Sequence, residues 1–141
     1  MDQPLGVPRK YWGETMSQIA MLKMSEQAVV DQDELARVLI RMDPSEAEET
    51  FMGLIKSLTD HLAISEQHLQ AYNLSELADT MALVELISGR LCMTSLAQVA
   101  EDVMHCCDRN DGVALSATHA RLIRIGECAL REIWDLKRDY I

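Results

Sequence analysis

Apolar residues recur every three or four positions through most of residues 51–136, a period that leaves few folding options other than helices. After a restart signal at Asp43-Pro44-Ser45, the spacing of Phe51, Leu54, Ile55, Leu58, Leu62, Leu69 and Tyr72 predicts a helix to about Tyr72 with one face buried throughout. Glu46, Glu48 and Glu49 stand near its start, where the positive end of the helix dipole favours carboxylates. Asn73 punctuates the chain, and Leu77, Met81, Val84 and Leu91 predict the next helix over about Leu74 to Leu91. Thr94 or Ser95 is placed to cap a helix that runs to about Cys107 through Leu96, Val99 and Val103. The cluster Asp108-Arg109-Asn110-Asp111-Gly112 reads as a turn. A last helix, about Ala114 to Arg138, carries Leu115, Leu122, Ile125, Ala129, Ile133 and Leu136, with Gly126 where two helices can approach closely.

Two shorter amphipathic helices precede these. One is expected over Glu14 to Glu26, with Met16, Ile19 and Leu22 on a stripe, and one over Asp33 to Met42, with Leu35, Val38, Leu39 and Met42. Pro4, Gly6, Pro8 and Gly13 make residues 1–13 an irregular N-terminal arm, with Tyr11 and Trp12 expected as its anchors on the bundle in preference to an anchor for a partner. No segment alternates with a period of two long enough for a strand. The expected architecture is therefore all-α: an antiparallel up-down four-helix bundle with one or two additional N-terminal helices, in a single domain over residues 14–141.

Composition narrows the partners. Thirteen basic against 23 acidic residues give a net charge of −10, which disfavours nucleic acid and anionic membranes; it reads first as a solvated acidic surface that keeps the protein soluble, and second as favouring a basic partner. With aromatics at 4% and 9 methionines, the core is expected to be aliphatic and methionine-filled. No apolar run approaches the roughly 20 residues needed to cross a bilayer. The opening residues carry Asp, Arg, Lys and Glu without an apolar signal segment. Cys92, Cys106, Cys107 and Cys128 follow no zinc or redox spacing and read as reduced core thiols of a cytoplasmic protein.

Candidates for chemistry are few. His61, His68, His105 and His119 could each accept phosphate or bind metal, but no repeated Glu-x-x-His pattern accompanies them, and they read as ordinary polar or boundary residues. In His105-Cys106-Cys107-Asp108 the adjacent thiols would point about 100° apart on a helix and could not share one ion. The chain also lacks a phosphate-binding glycine loop, a dinucleotide fingerprint and an HExxH motif, so neither enzyme activity, metal nor cofactor is expected.

One stretch is more specific. Asn73 to Leu96, NLSELADTMALVELISGRLCMTSL, resembles the central segment of the histidine-containing phosphotransfer (HPt) domain family. That family's pattern is roughly a histidine, a lysine and a glycine three and four positions on, then Leu-Gly-Ala before the next helix. Leu91, Cys92, Met93 and Leu96 fall on the Leu, Gly, Ala and following Leu, whereas Ala82, Glu85 and Leu86 fall on the His, Lys and Gly. An alternative register puts Asp79 opposite the histidine and Gly89 on the later glycine; neither supplies an imidazole. The resemblance extends over about Val30 to Leu136 and implies a degenerate member that lacks the phosphoacceptor. A methyl group has no lone pair with which to attack phosphorus.

In that family a receiver domain docks over the helix face around the histidine. The resemblance thus implies a protein-binding surface at Ala78, Ala82, Leu83, Glu85, Leu86 and Gly89, whose partner is a response-regulator receiver domain or a sensor kinase of bacterial-type two-component signalling. In a competing expectation Leu83 and Leu86 are core residues packed against the N-terminal helices. Two other functions stay open: active phosphotransfer through another histidine, and a helical module that closes a homodimer.

Overall fold

The computed structural model describes residues 30–140, which fold as an all-α bundle. Five helices are described: α1 (Gln32–Ile40), α2 (Pro44–Gln70), α3 (Leu74–Arg90), α4 (Thr94–Arg109) and α5 (Gly112–Tyr140). The expected helix over Glu14 to Glu26, the arm over residues 1–13 and the Tyr11 and Trp12 anchors lie outside the described residues. Among the described residues the only extended pairing is an isolated bridge between Val30 and Met93, where the Asp31 amide donates to the Cys92 carbonyl at 2.7 Å.

Local chemistry sets most helix starts. The side chains of Asp31, Asn73 and Asp111 accept from the amides of Glu34, Glu76 and Ala114, at 3.0, 3.3 and 3.1 Å, satisfying amides that have no partner inside the first turn. Pro44 opens α2, where its missing N–H costs nothing. Asp43 makes no side-chain cap there and instead accepts the Ser45 hydroxyl at 2.7 Å. The expected cap at Thr94 or Ser95 is not formed. Met93 occupies the N-cap position of α4 and has no capping side chain, because its thioether is buried in the core.

The three connections α2–α3, α3–α4 and α4–α5 share one solution. Tyr72, Cys92 and Asn110 adopt left-handed backbone, with φ of 51°, 59° and 52°. The next amide in each case reaches back across the last turn, Asn73 to the His68 carbonyl at 2.9 Å, Met93 to Ser88 at 2.8 Å and Asp111 to Cys106 at 3.2 Å. This is the Schellman cap, built here without glycine. These short connections set consecutive helices side by side, as an up-down bundle requires.

The helices then pack in ring order: α3 lies against α2 and α4, α4 against α5, and α2 and α5 close the ring. A methyl group at Gly126 would sit 2.8 Å from Leu62 Cδ1, so the glycine permits the close approach of α5 to α2. The core comprises Phe51, Ile55, Leu58 and Leu62 of α2, Leu77, Met81, Val84 and Ile87 of α3, Leu96, Val99 and Val103 of α4, and Leu115, Leu122, Ile125 and Ile133 of α5. Burying each such side chain contributes about 1.5–3 kcal/mol. Of α1's expected stripe, Leu35 is buried and Val38, Leu39 and Met42 are half-buried. Tyr72 departs from expectation: it is 50% exposed, because its left-handed backbone turns it out of the α2 stripe and its hydroxyl donates to Asn110 Oδ1 at 2.7 Å.

Candidate functional site

The candidate site is the outward face of α3. A helix turns about 100° per residue, so the positions that bury Leu77, Met81 and Val84 throw Ala82 to the opposite side. Ala82, Leu83, Leu86 and Gly89 are exposed, and Ala78 and Glu85 are half-buried at the edge of the same face. Leu83 is 45% and Leu86 60% exposed; of the N-terminal helices expected to cover them, the one over Glu14 to Glu26 lies outside the described residues. Their Cα atoms share a helix whose inner side is fully engaged, so the six positions named from the sequence form one continuous strip. Asp79, the residue of the alternative register, is exposed on that face too.

The helix is held rigidly at both ends. Asn73 caps its start, and its last turn closes on Leu91 and Met93, both fully buried, with Cys92 between them in left-handed backbone. A side chain at residue 92 must tolerate that conformation, which glycine adopts most readily.

None of the histidines joins this strip. His61 donates from Nδ1 to the Ser57 carbonyl at 2.7 Å on its own helix, and His105 Nε2 lies 3.9 Å from Glu101 Oε1 on the surface of α4. His68 is half-buried near the end of α2. His119 is buried between α5 and α2, its Nε2 2.9 Å from Ser65 Oγ. Ser65 has one hydroxyl proton, which it gives to the Leu62 carbonyl at 2.6 Å, so His119 Nε2–H is the donor in the pair.

Burial holds the His119 imidazole below its usual pKa, against the opposing pull of Glu66. The unfolded chain therefore takes up this proton first. The stability contributed by the neutral ring is complete above the unfolded value near 6.5 and is lost as pH falls below it. Urea midpoints between about pH 5 and 7 are expected to fall toward acid in the wild type, and His119→Gln is expected to flatten that slope. An unchanged slope in the variant would assign it to other groups.

The four cysteines are the remaining candidates. All four are free and buried. Burial raises the thiol pKa of Cys92, with Glu34 and Asp31 adding to it, and raises that of Cys107, with Cys106 and Asp108 adding to it. A thiol so shifted is a poor nucleophile. Among the described residues no group of three or more His, Cys, Asp or Glu side chains is arranged to hold a metal ion, and no helix is long and apolar enough to cross a membrane. An apolar groove of about 220 Å³ does exist elsewhere, lined chiefly by Leu35, Ala36 and Leu39 of α1, Phe51 of α2 and Leu136 of α5.

In comparisons with known proteins, no protein family, curated protein or solved structure matches this chain.

Proposed function

We propose that the chain is a non-catalytic, HPt-like signalling adaptor or regulator, which binds a response-regulator receiver domain or a sensor kinase through the outward face of α3 without accepting phosphate. The observation that carries this reading is the position of Ala82: an exposed methyl at the middle of a bundle helix, with Leu83 and Leu86 exposed beside it. A phosphorelay bundle needs an accessible imidazole at such a place, and here nothing at that position can attack phosphorus. What remains is a surface that gains free energy when covered, about 25 cal/mol per Å² of apolar area before association costs are charged. The left-handed Cys92, on the family's glycine position, supports the same register.

Leu86→Arg tests it. The substitution introduces a charge at an exposed position, so the helical circular dichroism and thermal midpoint are expected to stay near wild type, within about 0.5 kcal/mol in stability. Binding to a panel of receiver and kinase domains from the same cell, followed by titration calorimetry, is expected to fall below detection for any partner the wild type holds. Unchanged binding would place the interface elsewhere, and a collapsed fold would return Leu86 to the core.

A further inference from the structure

Resting on that docking reading, we propose that the partner meets α3 with an amphipathic helix whose apolar residues are flanked by lysine or arginine. The apolar strip of α3 has acidic borders. Glu76 and Asp79 precede Leu83 by seven and four residues on one side, and Glu85 flanks Ala82 on the other, with Arg90 the single cation of the helix. Glu76 lies in the first turn, where the helix dipole alone accounts for a carboxylate. Asp79 and Glu85 lie beyond that turn, and the dipole gives them no stabilisation. Glu85 sits three residues from Ala82, where the HPt pattern has a lysine, so the local charge is reversed relative to a surface that holds phosphate.

Apolar residues between carboxylates select against acidic partners more strongly than they attract neutral ones. A like charge brought over the strip is desolvated without a counter-ion, whereas an ammonium or guanidinium pairs at the wet rim while the leucines bury. The net charge of −10 adds long-range steering in the same direction. A helix is the fitting shape, because a convex helical strip with spacings of three and four residues accepts a second helix along its ridge.

The test uses the full chain and two synthetic helical peptides with the same leucine stripe, one flanked by lysines and the other by glutamates. By fluorescence anisotropy at low salt, the lysine peptide is expected to bind at least about tenfold more tightly, with a preference that shrinks as salt is raised. A triple variant Glu76→Lys, Asp79→Lys and Glu85→Lys is expected to reverse the preference. A control triple, Glu46→Lys, Glu66→Lys and Glu127→Lys, changes net charge equally at exposed sites on α2 and α5 and is expected to keep the preference for lysine. Equal affinity for both peptides, binding of neither, or equal effects of the two triples would overturn the charge rule. If Leu86→Arg still abolishes receiver or kinase binding in that event, docking at α3 stands without it; if Leu86→Arg changes nothing, the docking reading itself falls.

Discussion

Ala82→His, made together with Glu85→Lys, is expected to acquire acid-labile phosphate from a phosphorylated receiver domain under conditions in which the wild-type chain stays unlabelled. Ala82 is exposed on α3, so an imidazole there reaches solvent and keeps a pKa close to neutrality, with a lone pair available for attack. A lysine three residues on shares its face and supplies the cation that a transferred phosphoryl group needs. The cost of the change is small. Histidine is about 0.5 kcal/mol worse than alanine in a helix interior, against a total stability of about 5–15 kcal/mol for a domain. Ala82→His alone is expected to label more weakly, since Glu85 then faces the phosphate. A folded double variant that no receiver labels would show that this face is not shaped for relay. Label on the wild type would instead point to a native phosphoacceptor, which His61→Gln and His68→Gln would locate.

The sequence announced the helices clearly because burial is periodic and the period is visible without coordinates. Leu77, Met81 and Val84 are fully buried where the spacing put them, whereas the spacing left Leu83 and Leu86 open between an outward face and a cover of N-terminal helices. Gly126 was legible from its place among the apolar positions of the last helix, and Leu62 fills the space beside it, whereas Gly53 and Gly89 lie inside helices with nothing close by. The helix ends were harder to read. Schellman caps are usually signalled by glycine, yet here Tyr72, Cys92 and Asn110 take the left-handed backbone, and of the three only asparagine is a common substitute. Tyr72 consequently looked like one more buried residue of α2, although the cap turns it outward. Met93 at the start of α4 was masked by two hydroxyl residues beside it, because a buried side chain at the cap position outweighs a hydrogen bond worth about 1 kcal/mol. The pairing of Ser65 with His119 joins residues far apart in the chain, and no local pattern marks it.

Leu77→Ala and Leu86→Ala place the same chemical change on two sides of one helix, and their difference isolates burial from helix propensity. Leu77 is fully buried among α3's core positions, so its truncation removes a complete leucine contact set and leaves a cavity, at a cost of about 2–5 kcal/mol. Leu86 is 60% exposed, and the same truncation there is expected to stay within about 0.5 kcal/mol. Alanine and leucine differ little as helix formers, so propensity cancels between the two variants. Urea unfolding should therefore show a much lower midpoint for Leu77→Ala with an unchanged slope, and a midpoint near wild type for Leu86→Ala. Binding is expected to invert the order: Leu86→Ala weakens the partner complex while Leu77→Ala, where still folded, leaves it nearly intact. An equally large loss of stability in Leu86→Ala would mean that the outward face of α3 is covered within the chain itself, and the partner would then have to be sought on another surface.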